Sequence, residues 1–151
     1  MKTDSKETIT VEATINASDE KVWEYWTEPE HITKWSFASN DWQVPLAEND
    51  LRVGGTFLTR MEAKDGSFGF DFGGVYSEIK INELISYTLG DGRKVIVTFI
   101  SQERDTKVRE VFEAESTHSN EQQKAGWQAL LDKFKEYSEL SHENENLKGG
   151  Y

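Results

Sequence analysis

Three charged residues stand inside runs that otherwise read as strands: Arg60, Asp71 and Glu110. Val108, Glu110, Phe112 and Ala114 share one parity of an alternating run. A strand that turns Val108 and Phe112 toward a core therefore turns Glu110 inward with them. A buried carboxylate needs a cation or a set of donors, and Arg60 is the candidate partner. Two readings stay open. In one, these groups are polar anchors inside a ligand cavity. In the other, they are cross-strand ion pairs on the wet face of a sheet, where such pairs are common and contribute little. A general acid or base would need a second positioned group, and none is evident, so no catalytic residue is assigned.

Other chemistries find less support. The chain has no Cys, which excludes disulfides, thiolate nucleophiles and cysteine-based zinc sites. His31, His118 and His142 fall in a short helix, a loop and a tail, without HExxH or other ligand spacing. They read as surface groups, and no metal or cofactor is expected. GxSxG and Ser-x-x-Lys are missing, and Gly54-Gly55 lacks the spacing of a phosphate-cradling loop, so it reads as a turn or bulge. With 17 Lys and Arg against 28 Asp and Glu, the formal net charge is -11, which disfavours nucleic acid and anionic membranes as partners. The first eight residues are polar and the longest aliphatic run is Val95-Ile96-Val97. Neither secretion nor membrane insertion is indicated, and a cytoplasmic location is expected.

The elements that must position these groups follow from periodicity. Ile9, Val11, Ala13 and Ile15 alternate with polar residues, giving a strand over Thr8 to Ile15. Ser18 serves as N-cap to a helix over about Asp19 to Thr27, and Pro29 opens a second short helix to about Thr33, with Trp35 and Phe37 in the loop beyond. From Trp42 to Ala114 the chain reads as a six-strand antiparallel meander, punctuated at Asp65-Gly66, Asn82-Glu83, Gly90-Asp91-Gly92 and Glu103-Arg104-Asp105. In the run from Ser67 to Ile81, Phe68, Phe70 and Phe72 lie on one parity and Val75, Ile79 and Ile81 on the other, so a bulge is expected at Gly73-Gly74. Ser119 and Gln122 fit a capping box before a long amphipathic helix over Asn120 to about Leu140, built on Trp127, Leu130, Leu131, Phe134 and Tyr137. Gly126 is expected where helix and sheet approach closely. A chain of 151 residues suits one domain, with an ordered core over about 8–140 and a frayed tail over about 142–151. Five Trp, five Tyr and eight Phe imply a core built from rings.

This order of elements resembles the α+β helix-grip fold of the START-like (SRPBCC) superfamily, a curved sheet of about seven antiparallel strands around a long C-terminal helix. Val11 to Trp35, DLRVGGTF at Asp50 to Phe57, RMEAKDGSFGFDFGGVY at Arg60 to Tyr76 and EQQKAGWQALLDKFKEY at Glu121 to Tyr137 are similar to the bacterial branch related to the activator of heat-shock protein 90 ATPase. The resemblance covers about Thr8 to Leu140. It implies a cavity between sheet and helix for a lipid-like, polyketide-like or other apolar, often aromatic, molecule. It also implies two other roles found in the superfamily: a chaperone-activating interaction module, and a cyclase or aromatase. Chaperone-activating members carry a further domain, for which a chain of this length is expected to have no room.

The ligand-contacting set expected from the strands is Phe57, Met61, Phe70, Tyr87, Phe99 and Phe112. Trp35, Trp127 and Leu131 complete the apolar wall, and Arg60 and Glu110 are its polar members. Access is expected near Trp26 to Phe37, where short helices and a loop move more easily than strands.

Overall fold

The computed structural model describes residues 7–37 and 39–149. Strand β1 (Thr8–Ile15) buries Ile9, Val11 and Ile15, packs Ala13 beside them and exposes Thr10, Glu12 and Thr14, as alternation dictates. Helix α1 (Asp19–Thr27) starts at Ser18, whose side chain accepts from the Lys21 N–H, and its first turn places Asp19 and Glu20 against the positive end of the helix dipole. Helix α2 (Pro29–Trp35) follows directly, with Pro29 at its start. It runs a full half-turn further than the sequence indicates. Trp35 is its last residue rather than a loop residue, pinned by its indole N–H donating to the Tyr25 carbonyl at 2.9 Å.

Six strands come next: β2 (Trp42–Asn49), β3 (Thr56–Ala63), β4 (Gly69–Lys80), β5 (Leu84–Leu89), β6 (Lys94–Ser101) and β7 (Thr106–Glu113). All pairings are antiparallel, in the order β1-β7-β6-β5-β4-β3-β2. The meander is thus sequential, and β1 closes onto its far end. Gly66, in the β3–β4 turn, has φ +79°, a conformation that a side chain would strain. Helices α1 and α2 carry the chain from the β1 edge to the β2 edge.

The long helix α3 (Asn120–Gly149) begins with the reciprocal cap anticipated from Ser119 and Gln122. The Gln122 N–H donates to Ser119 Oγ at 3.1 Å, and the Ser119 N–H donates to Gln122 Oε1 at 3.1 Å. At 30 residues it is about 45 Å long. The expected frayed segment is helical as far as Gly149, and residues 150–151 lie outside the described residues. The reason is tertiary. Glu145 accepts from Lys21 Nζ at 2.6 Å and from the Tyr25 hydroxyl at 2.5 Å, which fastens the last turns of α3 to α1.

The bulge in β4 is not at Gly73-Gly74. Pairing with β3 is regular through both glycines, and pairing with β5 slips at Ser77, between Tyr76 and Glu78. Before the slip Phe72 and Tyr76 face inward, and after it Ile79 does, packed on the core. The glycines serve another purpose. A Cβ on Gly74 would come within 2.5 Å of the Thr88 carbonyl oxygen and 3.2 Å of the Phe57 ring, so the residue allows Phe57, its partner across the pair, to lie over the backbone.

Candidate functional site

Between the concave face of the sheet and α3 lies a cavity of about 380 Å³. Its floor is the inward parity of the central strands: Phe57, Thr59 and Met61 from β3, Phe72 and Tyr76 from β4, Ile85 and Tyr87 from β5, and Glu110 from β7. The roof is α3, through Trp127, Leu130 and Leu131, and one end is stopped by Trp26 and Trp35. The rings brace one another. Phe57 meets Tyr87 edge to face at 4.8 Å and Tyr76 at 5.3 Å, and Phe72 approaches Trp127 at 6.2 Å. A wall fixed this way holds its shape without a ligand to support it.

Of the residues expected to contact a ligand, Trp35, Phe57, Met61, Phe70, Tyr87, Trp127, Leu131 and Glu110 line this cavity. Phe99 and Phe112 do not. Phe99 packs behind α1, 5.3 Å from Trp23 and 5.9 Å from Trp26. Phe112 is fully buried beneath Trp127, stacked at 3.9 Å with only 10° between ring planes, so it sets the position of a wall residue without being one.

Arg60 is also absent from the lining, and the proposed pair with Glu110 does not form. Arg60 lies on the outward parity of β3, where Nε donates to Glu62 at 3.0 Å and Nη1 donates to Asp71, its register partner on β4, at 3.2 Å. The first runs along β3 and the second crosses to β4, and surface pairs of this kind are worth at most about 1 kcal/mol each. The two readings of the strand charges thus divide: Arg60 and Asp71 belong to the wet face, and Glu110 faces inward.

Glu110 is 5% exposed and sits between Val11 and Val97 in the ladder. Among the described residues no cation and no hydrogen-bond donor meets its carboxylate. Burial pushes its pKa up to about 8, so it is mainly a neutral acid at pH 7. Tyr87, 6% exposed, has its phenol raised well above the usual range, first by burial and then by the nearby Glu110. Tyr76 differs: its hydroxyl donates to Asn49 Oδ1, and Asn49 in turn donates to the Thr27 carbonyl.

The wall residues most open to solvent are Glu48, Phe70 and Gly126, whereas Trp35 and Ser36 are buried. The wall is thus most open between α3 and the β2–β4 side, while in the Trp26 to Phe37 segment Trp26 and Ile32 are half-buried. Gly126 is correspondingly not a close-approach residue, since a Cβ there would meet nothing within 4 Å. Phe70 extends the mouth outward with Trp42 and Phe68, three rings about 6 Å apart, of which Phe68 is 61% exposed.

Outside the cavity, Glu28, Glu30 and His31 bring possible ligand atoms within 4.8 Å of one another, but His31 Nδ1 is held by the Tyr137 hydroxyl at 2.6 Å. Among the described residues no helix is long and apolar enough to cross a membrane.

Wall residues outside the expected set include Trp26, Thr59, Phe72, Tyr76, Ile85 and Leu130. Thr59 shares the parity of Phe57 and Met61, a signal that was available. Tyr76 could be assigned inward only with the bulge placed at Ser77.

The fold is shared with solved bacterial proteins. An AHSA1-like protein from Aeromonas hydrophila is 43% identical with a TM-score of 0.86, over 90% of this chain and 94% of that one. A Cytophaga hutchinsonii protein is 55% identical with a TM-score of 0.77, again over 90% and 94%. A Chromobacterium violaceum protein, at 24% identity and a TM-score of 0.79 over 88% and 98%, shares the fold. No curated protein matches the chain. The helix-grip architecture anticipated from the sequence is the one observed, and since the model of the activator of Hsp90 ATPase homolog 1-like proteins matches residues 16–139, the chain belongs to that family.

Proposed function

We propose that this protein binds a small apolar molecule with one or more rings in the cavity between the sheet and α3. The observation that carries the reading is the wall itself: aromatic and aliphatic side chains braced around an unfilled volume of about 380 Å³, within the range of small-molecule sites. A solid core would have closed on itself, because packed interiors leave few voids larger than a water molecule. Gly126, in the wall, adds no side chain to this space. A ligand of about 20 heavy atoms gaining about 0.3 kcal/mol per atom would bind with a dissociation constant of some tens of micromolar. The absence of Cys and the acidic surface accord with a cytoplasmic site of action.

Trp26, Trp35 and Trp127 line the cavity, so ligand titration followed by tryptophan fluorescence tests the proposal. Planar two-ring and three-ring compounds should change the emission saturably, and Leu131→Trp, which fills the volume, should abolish the response. Failure of every compound to bind below about 1 mM, a limit of roughly 4 kcal/mol, would reject the reading.

The exposed Trp42, Phe68 and Phe70 favour a second reading, a protein-interaction module of the chaperone-activator kind. If it holds, Phe68→Ser should reduce stimulation of a purified heat-shock protein 90 ATPase while leaving the fluorescence titration unchanged.

A further inference from the structure

We infer that Tyr87 and Glu110 together form a two-donor site for a carbonyl oxygen, so that the cavity selects an apolar ring system bearing a ketone or similar carbonyl over a plain hydrocarbon or a fatty acid. This rests on the ligand-binding reading above and names the chemistry of that site.

Topology sets the two groups near each other. Tyr87 on β5 and Glu110 on β7 both point inward, and the strand between them, β6, places Val95 opposite Tyr87 and Val97 opposite Glu110. Short valine side chains leave the two polar heads to rise into the cavity. Both residues are more than nine-tenths buried, and neither the phenol nor the carboxyl has a hydrogen-bond partner among the described residues. Leaving such groups unmatched in an apolar site is costly, and the cost is removed when a ligand supplies the partner. Tyr76, in the same wall, shows the ordinary arrangement, with its hydroxyl already satisfied by Asn49.

The chemistry of the missing partner follows from what surrounds the pair. Val11 of β1, Val97 of β6 and Ile85 of β5 are apolar, as are Trp127, Leu130 and Leu131 of α3. The charged wall residues are Glu48, exposed at the mouth, and Arg93, whose Nε is held by Asp91 at 2.8 Å. Among the described wall residues the one cation, Arg93, is already shared with Asp91, and a ligand carboxylate would also face the two acids Glu48 and Glu110. With Glu110 neutral, its O–H and the Tyr87 O–H are both donors, and a carbonyl oxygen has two lone pairs to receive them. A phenol beside a protonated carboxylic acid is a known way to bind an oxygen that carries partial negative charge.

The test compares acetylnaphthalene with ethylnaphthalene, which match in shape and differ in the carbonyl. At pH 6 the ketone should bind about tenfold more tightly to the wild-type protein, the worth of two net hydrogen bonds. Its advantage should decline as pH rises through about 8, where Glu110 loses its proton, while the hydrocarbon serves as the reference at each pH. Tyr87→Phe should cut the advantage about threefold. Glu110→Gln, whose amide N–H still donates, should keep a preference for the ketone but lose the pH dependence. The infrared carbonyl band of the bound ketone should shift to lower frequency in the wild-type protein, a readout that needs no variant. Equal binding of the two compounds, or an unshifted band, overturns the two-donor site and leaves the cavity reading standing. If neither compound binds, the two-donor site falls, and the cavity reading falls with it only when every compound of the wider panel fails as well.

Discussion

Two neighbouring stretches of α3 carry rings, yet one covers a solid interior and the other a hollow. Beneath Phe134 to Tyr137, Phe134 is fully buried, with Trp26 and Trp35 both at 4.8 Å, and the Tyr137 ring stands 6.1 Å from Tyr25. Beneath Trp127 to Leu131, Trp127, Leu130 and Leu131 look across open space at β3, β4 and β5. What differs is the opposing layer. Helices α1 and α2 intervene below Phe134 and fill the curve of the sheet, whereas nothing intervenes below Leu130. Counting aromatic residues cannot separate plug from lining, because that distinction depends on whether a third element reaches the gap.

Truncation should expose the contrast most strongly. Phe134→Ala should cost about 3 to 5 kcal/mol, since it opens a cavity among packed rings, while Leu130→Ala, already facing a void, should cost about 1 kcal/mol. Chemical denaturation of the two variants checks this, and similar losses would mean that the hollow is packed after all.

The next effect concerns charge. Glu110 in the hollow has its pKa raised from 4.5 to about 8, so between those values the folded state holds a proton that the unfolded state releases. Stability contributed by the neutral acid is therefore fully present below the unfolded value and is lost as pH rises through about 8, by up to about 1.4 kcal/mol per unit. Glu110→Gln has no such loss. Its stability relative to wild type should grow between pH 5 and pH 8, measured as the difference in unfolding free energy, and a constant difference would mean that the carboxyl is solvated.

The smallest effect should have the opposite sign. Gly126→Ala restores helix propensity at a position where the added methyl meets nothing, and should stabilise the protein by about 0.5 to 1 kcal/mol. A thermal unfolding midpoint that falls instead would show that the mouth is tighter than the open space above Gly126 implies.

Much of the fold is legible in the sequence because its signals are local. Alternation in Val108, Glu110 and Phe112 places Glu110 inward, and Ser119 with Gln122 marks the start of α3. Where signals act at a distance, reading fails. Glu145 lies in a polar stretch without periodicity, and its partners on α1, Lys21 and Tyr25, hold the helix there. The bulge at Ser77 carries no glycine to advertise it, whereas Gly73-Gly74 advertises a bulge and instead accommodates a neighbour. The outward position of Arg60 is legible too: it alternates with Thr59 and Met61, so it cannot share their face. Phe99 and Phe112 have the right parity and the wrong depth, which a one-dimensional pattern does not encode.

The pairing of β1 with β7 bears on how the chain is made as well as how it stands. Each residue of β1 meets a partner about a hundred positions later in the chain, so at roughly 5 to 20 residues per second the first strand emerges some 5 to 20 s before its neighbour exists. During that interval Ile9, Val11 and Ile15, all buried in the finished protein, have no sheet to join. The edge that closes the fold is therefore also the one longest in need of shelter during synthesis, and its pairing closes the longest loop of any in the sheet.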